Sequence, residues 1–242
     1  MIGNTKKDRV LFVLSGIFIT NALVAEMIGG KLITLGPFTL SIGILLWPIV
    51  FLTTDVINEY FGKKGVRALS LFTAGLIAYA FVAIYAAMQV KASHFSNVSD
   101  DQFTAVFGQT SWIIMGSITA FLVSQLIDVA VFWFLRSRTG ERMIWLRATG
   151  STVVSQLIDS FIVLGIGIYL PDAAGFYDKA PADRMQFGDF ITIGLTGYSF
   201  KLIIAVGLTP LIYVAHHFIN RYLGESAAHR AIEKSASESE EG

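Results

Sequence analysis

One five-residue string occurs twice in this chain, and both copies carry a glutamine and an aspartate. Ser-Gln-Leu-Ile-Asp occupies residues 124–128 and again residues 155–159. Residues three apart lie on the same face of a helix, so the amide and the carboxylate of each copy share a face. Two equal polar motifs on neighbouring helices that run in opposite directions are typical of the pseudo-two-fold sites of transporters. The two pairs are Gln125 with Asp128 and Gln156 with Asp159.

These side chains suit a flat, polar heterocycle held in an apolar pocket. A carboxylate only accepts hydrogen bonds, whereas an amide both donates and accepts them. A guanine-like edge offers two adjacent N–H donors and one carbonyl acceptor, so an aspartate can accept from the donors while a glutamine donates to the carbonyl. We therefore predict a site for a guanine-like base, with Asp159 and Gln156 reading its edge and aromatic side chains packed on its ring.

Four ionisable residues interrupt long apolar runs: Asp55, Asp128, Asp159 and Lys201. A charge inside a bilayer costs about 2.5–3.5 kcal/mol, so such a residue usually has a partner and a role. We expect Lys201 to neutralise Asp159 or Asp128, and ion pairing that merely holds helices together is the alternative. The carboxylates outnumber the ammonium, so at least one aspartate is expected to be protonated or to await a cationic or proton-donating ligand. Asn58, one turn after Asp55, completes the candidate binding residues.

The elements that position these residues are predicted to be membrane-spanning helices. Hydrophobic residues make up 54% of the 242 residues and charged residues only 15%, against about 25% charged residues in soluble domains. The apolar runs are continuous rather than alternating, which favours helices over a β-barrel. The predicted fold is therefore an all-α polytopic membrane protein. Its domain spans residues 1–224, with six helices near 10–29, 39–61, 66–90, 111–135, 148–170 and 190–220.

Basic residues in the loops predict the orientation. The segments before helix 1, between helices 2 and 3, between helices 4 and 5, and after helix 6 hold thirteen Lys and Arg, whereas the other loops hold four. An excess of Lys and Arg marks the cytoplasmic side, so both termini are expected in the cytoplasm. The thirteen are Lys6, Lys7, Arg9, Lys63, Lys64, Arg67, Arg136, Arg138, Arg142, Arg147, Arg221, Arg230 and Lys234, and the four are Lys31, Lys91, Lys179 and Arg184.

Three other segments carry predictions of their own. Residues 1–28 have the basic start of a signal peptide but a longer apolar stretch, so we interpret them as a retained first helix. Residues 225–242 are rich in Ser, Glu and Ala and are predicted to be a disordered cytoplasmic tail. The loop 91–111 places Phe103, Val106 and Phe107 at helical spacing, which indicates a short helix on the membrane surface.

Composition excludes several classes of function. The chain has no Cys, so it has no disulfide and no thiolate metal site, and no metal or cofactor is predicted. Its 18 basic and 18 acidic residues argue against a nucleic-acid binder. An enzyme is not predicted, because no histidine lies at mid-membrane beside a serine. Two facing aspartates could form an aspartyl protease dyad, but the neighbouring glutamines and Lys201 fit ligand binding better. A channel is disfavoured because no repeated ring of charges is visible.

Several strings resemble the queuosine precursor transporter family, which is also called vitamin uptake transporter-like. The resemblance runs from helix 1 to helix 6, and the segments around Asp55 and Asp159 are its most specific part. The strings are Gly29-Gly30-Lys31, residues 40–60, Phe61-Gly62-Lys63-Lys64, Trp145-Leu146-Arg147, Gly150-Ser151-Thr152 and the second copy of Ser-Gln-Leu-Ile-Asp.

This resemblance implies a multi-pass protein of the bacterial cytoplasmic (inner) membrane. It implies import of 7-cyano-7-deazaguanine, 7-aminomethyl-7-deazaguanine or both. Both compounds carry the guanine edge, and the aminomethyl form adds a cation that can pair with a carboxylate. The expected partners are this deazapurine substrate and the lipid bilayer, and a homodimer is left open.

The alternative is the substrate-binding subunit of an energy-coupling-factor vitamin importer. Such subunits are also small six-helix proteins that bind one flat vitamin, and they often dock partners through Ala-x-x-x-Ala on helix 1. Here Ala22 and Ala25 lack that spacing. Copurification with ATPases would distinguish the two functions.

Overall fold

A computed structural model describes residues 5–29, 31–36, 38–108, 111–139, 143–176 and 180–240. Most of these residues are helical. The α-helices are α1 (Lys6–Ile28), α2 (Trp47–Met88), α3 (Asp100–Phe107), α4 (Ser111–Thr139), α5 (Ile144–Leu164), α6 (Leu170–Ala173), α7 (Phe187–Leu223) and α8 (Glu225–Glu240). A π-helical turn, Gly165–Tyr169, joins α5 to α6, and 3₁₀ turns occupy Ile42–Leu45 and Pro181–Asp183. Two short strands are β1 (Leu32–Leu35) and β2 (Phe38–Ser41).

Within these ranges, five helical segments are long and apolar enough to cross a membrane. The prediction of an all-α polytopic membrane protein is therefore confirmed. The number of crossings and the side of each terminus stay predictions. Arg142 and Lys179, which contributed to the charge count, lie outside the described residues.

Helix α2 is two helices joined at Gly62. Gly62 has φ 73° and ψ 176°, a backbone conformation that residues with a Cβ rarely adopt. Val50 before the glycine and Ile77 after it belong to one packed cluster, whereas a straight helix would separate them by about 40 Å. The chain therefore folds back at Gly62, and the two arms correspond to the predicted helices 39–61 and 66–90.

The predicted start of the second helix at residue 39 is wrong. Residues 38–41 form β2, which pairs antiparallel with β1 from Leu32 opposite Ser41 to Leu35 opposite Phe38. A 3₁₀ turn follows, and α2 begins at Trp47 with Pro48 in its first turn. In this position the missing N–H of a proline costs no hydrogen bond, because the first N–H groups of a helix have no partner within it. The error has a physical reason, because the periodicity of a short apolar run does not distinguish a β-strand from a helix.

Helices α4 and α5 form an antiparallel hairpin at the centre of the structure, with α1 packed on α2 and α7 packed on α5. Phe121 of α4 anchors the apolar core, with its ring centroid 5.6 Å from Trp47 and 6.2 Å from Phe18. The short helix that was predicted within residues 91–111 is present as α3.

The segment predicted as a disordered tail differs in the structure, which describes Glu225–Glu240 as helix α8. Ala228 and Ala231 are buried against Tyr60 of α2 and Ile219 of α7. Ser235 Oγ donates a hydrogen bond of 2.6 Å to the Glu59 carbonyl oxygen. That carbonyl belongs to the last turn before Gly62, where helical partners run out. Polar composition concealed the small residues on one face of this helix, at positions 228, 231 and 235.

Candidate functional site

The two copies of the repeated motif face each other across the α4–α5 hairpin. Ser155 Oγ donates to Asp128 Oδ1 at 3.1 Å, and Ser124 Oγ donates to Asp159 Oδ1 at 3.4 Å. The serine of each copy therefore contacts the aspartate of the other. This reciprocal contact makes the two sites equivalent by an approximate two-fold relation, as the repeat predicted.

Lys201 of α7 neutralises Asp159 of α5. Its Nζ lies 2.5 Å from Asp159 Oδ2, and the two side chains are 10% and 14% exposed. The prediction that Lys201 pairs with one of the two motif aspartates is confirmed. Both oxygens of Asp159 consequently accept a hydrogen bond, one from Lys201 and one from Ser124.

Glu26 of α1 lies near this pair and was missed by the sequence reasoning. Ser117 of α4 donates a hydrogen bond to Glu26, which also interacts electrostatically with Asp159 and Lys201. The lysine cluster is defined as Glu26, Ser117, Ser124, Asp159 and Lys201. The available signal was an acidic residue in the last turn of α1, where the helix dipole disfavours negative charge.

A second group of charges surrounds Glu59 of α2 and is called the arginine cluster. Arg147 of α5 donates from one nitrogen to both Glu59 oxygens, at 3.0 and 3.1 Å, and Arg136 of α4 lies 3.4 Å from Glu59. Arg147 is fully buried. Arg136 also donates to the Ile232 carbonyl oxygen of α8 at 3.2 Å. The sequence marked both arginines only as loop charges, because charge predicts the side of a membrane and not burial.

The other five candidate residues form a central polar cluster with unpaired polar atoms. The cluster is Asp55, Asn58, Gln125, Asp128 and Gln156, and all five side chains are buried. Six of their atoms have no hydrogen-bond partner within the described ranges: Asp55 Oδ1, Asn58 Oδ1 and Nδ2, Gln125 Nε2, Asp128 Oδ2 and Gln156 Nε2. A buried polar atom without a partner costs about 1–3 kcal/mol, so this concentration is typical of a binding site.

Contacts with neighbouring residues tie this cluster together. Thr54 Oγ1 of α2 donates to Gln125 Oε1 of α4 at 3.3 Å, which joins the two helices at this cluster. Asp55 is repelled by Asp128 and Glu59 and attracted by Arg147. The structure therefore brings Asp55 and Asp128 into one electrostatic environment, while Asp159 and Lys201 lie in the lysine cluster.

A pocket opens beside the central polar cluster, between α2, α5 and α7. Its free volume is about 20 Å³, which is room for about one water molecule, and Asp55 is the candidate residue among its lining. The hydroxyl oxygens of Thr149 and Thr209 lie 3.0 Å apart and connect α5 to α7 at its wall. The lining is Pro48, Phe51, Leu52, Asp55, Ala148, Thr149, Thr152, Ala205, Leu208, Thr209 and Ile212. Among described residues, no three His, Asp or Glu side chains are arranged to hold a metal ion.

A protein-family model described as "Putative vitamin uptake transporter" matches residues 41–215 of the chain. The chain belongs to this family. This transporter is 31% identical over 191 residues to the "Probable queuosine precursor transporter" of Bacillus subtilis (strain 168), covering 78% of this chain and 77% of the relative. It is 28% identical over 168 residues to the protein of the same name from Haemophilus influenzae (strain ATCC 51907 / DSM 11121 / KW20 / Rd), covering 68% and 63%. No solved structure matches the chain significantly.

These matches confirm the resemblance drawn from the sequence. The matched region contains all seven candidate residues, from Asp55 to Lys201. This family member is a multi-pass bacterial membrane protein.

Proposed function

We propose that this protein imports queuosine precursors, 7-cyano-7-deazaguanine, 7-aminomethyl-7-deazaguanine or both, across the bacterial cytoplasmic membrane. The observation that carries the proposal is the similarity to the Bacillus relative over most of both chains. A deazaguanine has several hydrogen-bonding groups that the bilayer core cannot satisfy, so its passage needs a protein route.

The proposed architecture has six crossings with both termini in the cytoplasm. In this architecture the two arms of α2, before and after Gly62, are separate crossings. The reversal of the chain at Gly62 supports this assignment. An even number of crossings places both termini on one side, and the excess of Lys and Arg assigns that side to the cytoplasm.

The substrate is proposed to bind at the α2–α5–α7 pocket after this pocket widens, with its guanine edge against Asp55. Asp55 lines the pocket and has an oxygen without a hydrogen-bond partner. The Asn58 amide lies one turn away and also lacks a partner, so it can bond the base carbonyl.

The roles proposed from the sequence for Asp159 and Lys201 change with this geometry. Lys201 neutralises Asp159, and each oxygen of this carboxylate already accepts one hydrogen bond, so Asp159 is a weaker acceptor for a base than an unpaired carboxylate. We propose that the ion pair closes the site in the conformation described here and separates when the site opens. Gln156, whose Nε2 has no partner, remains a proposed contact to the base.

Uptake of labelled precursor into cells that cannot synthesise it tests this function. Cells that express the wild-type protein should accumulate label, and cells that express Asp55→Asn should accumulate much less at equal protein amounts. Asp101→Asn is the matched control, since Asp101 is exposed on α3 and lies outside the pocket lining. Equal accumulation with and without the wild-type protein would refute the proposed function.

A further inference from the structure

The two motif aspartates occupy equivalent positions but have different partners. Each accepts a hydrogen bond from the serine of the opposite copy. Asp159 also binds the ammonium group of Lys201, at 2.5 Å. Asp128 is fully buried, and its Oδ2 has no hydrogen-bond partner in the described part of the chain. One half of the repeat therefore holds an ammonium ion, and the other half presents the same carboxylate without one.

The surroundings of Asp128 increase its need for a cation. Its carboxylate repels that of Asp55, and neither aspartate forms an ion pair within the described ranges. Arg147 attracts Asp55, but the guanidinium group is bonded to both oxygens of Glu59. Two buried carboxylates that repel each other are stabilised by a positive charge placed near both.

Other observations at the same place point to a ligand rather than to a purely structural acid pair. Both amide atoms of Asn58, which is fully buried, lack partners, and so does Nε2 of Gln156, which is 2% exposed. Asp55 connects the region to the pocket that opens between α2, α5 and α7. A ligand that enters there can reach carboxylates that need a hydrogen-bond donor or a positive charge, and amides that need a donor or an acceptor.

We propose that Asp128 binds a primary ammonium group of the substrate, in the way that Asp159 binds Lys201. The inference rests on the proposed function, because 7-aminomethyl-7-deazaguanine carries such a group whereas 7-cyano-7-deazaguanine does not. Asp55 contacts the guanine edge of either compound, and Asp128 contacts only the charged arm. The site therefore prefers the aminomethyl compound through Asp128.

The test measures the affinity of the purified, full-length protein for both compounds. Asp128→Asn removes the negative charge with little change in shape. It should weaken binding of the aminomethyl compound at least 10-fold more than binding of the cyano compound. The neutral cyano compound reports whether the variant is still folded. Asp55→Asn should weaken both compounds.

A milder pair of variants uses the repeat as its own control. Ser155→Ala removes the donor to Asp128, and Ser124→Ala removes the equivalent donor to Asp159. Ser155→Ala should alter the ratio of the two affinities, and Ser124→Ala should leave that ratio unchanged. This pair decides the question if Asp128→Asn binds neither compound.

Each outcome separates the inference from the function on which it rests. Binding of neither compound by the wild-type protein refutes the proposed function. Binding of both by the wild type, with the same affinity ratio measured in Asp128→Asn, overturns the ammonium site. An unchanged ratio in Ser155→Ala, where Asp128→Asn binds neither compound, also overturns it.

Discussion

Lys201 and Asp159 form an ion pair between α7 and α5, with 2.5 Å between Nζ and Oδ2 and little of either side chain exposed. The pair joins α5 to the next long helix, α7, through residues 42 positions apart in the chain. The partner of Lys201 is also one member of a repeated motif, so the pair makes the two halves of the repeat chemically unequal.

Lys201→Met should destabilise the protein, because it leaves Asp159 buried without its cation. Removal of one member of a well-buried pair costs about 3–5 kcal/mol. Lys201→Met combined with Asp159→Asn should recover part of that loss, since no uncompensated charge remains. Thermal unfolding in detergent checks both variants, and a single variant as stable as the wild type would show that the pair contributes nothing.

Gly116→Ala should destabilise the contact between α4 and the π-helical turn. A Cβ on Gly116 would lie 2.8 Å from the Gly167 backbone nitrogen and 3.1 Å from the Val163 carbonyl oxygen. Backbone atoms cannot rotate away, so the helices must separate, at a cost of about 1–3 kcal/mol.

Gly197→Ala is the control for Gly116→Ala. Nothing lies within 4 Å of a Cβ on Gly197, so the alanine should stabilise α7 by about 0.5–1 kcal/mol. Melting temperatures measured side by side should shift in opposite directions. A shift of the same sign in both variants would contradict the close packing at Gly116.

Arg147→Lys should destabilise the arginine cluster although it keeps the positive charge. A lysine ammonium can contact the same two oxygens, but it lacks the planar face with which the Arg147 guanidinium lies 5.7 Å from the Phe132 ring centroid. Loss of a cation–π contact at a desolvated site costs about 2 kcal/mol. Arg138→Lys is the control, because Arg138 is exposed and stacks 5.1 Å from the Phe134 ring. Equal stability of the two variants would show that the planar guanidinium of Arg147 contributes nothing beyond its charge.

Cysteine labelling can establish whether α2 crosses the membrane twice. The chain has no Cys, so single substitutions carry no background. Thr34→Cys and Ser96→Cys should react with an impermeant reagent in intact cells, while Lys64→Cys and Ser226→Cys should react only after permeabilisation. All four positions are exposed. If α2 crossed only once, residues 34 and 96 would react from opposite sides.

The sequence predicted the central acids because an acidic residue within an apolar run is costly and therefore conspicuous. Asp55, Asp128, Asp159 and Lys201 were recognised in this way, and the repeat indicated which helices face each other. Glu26 was not recognised, because it ends an apolar run and resembles a helix boundary. The burial of Arg147 was also missed, since a basic residue next to a loop satisfies the orientation rule whether it is exposed or buried.

Other parts of the fold depend on tertiary contacts that local patterns do not contain. The strand β2 lies in an apolar run that also suits a helix, and its pairing with β1 decides the conformation. Helix α8 has a polar composition typical of disorder. Its order comes from two buried alanines and from the contacts of Ser235 and Arg136, all made with residues distant in sequence.

The hydrogen bond from Ser235 to Glu59 can form only late in the synthesis of the chain. The two residues are 176 positions apart, and at about 5–20 residues per second the ribosome needs roughly 9–35 s to make the intervening chain. During that interval the Glu59 carbonyl oxygen lacks its final donor, and the surface that α8 covers is open to chaperones and proteases. The nascent membrane domain is therefore most vulnerable to degradation until α8 has emerged and docked.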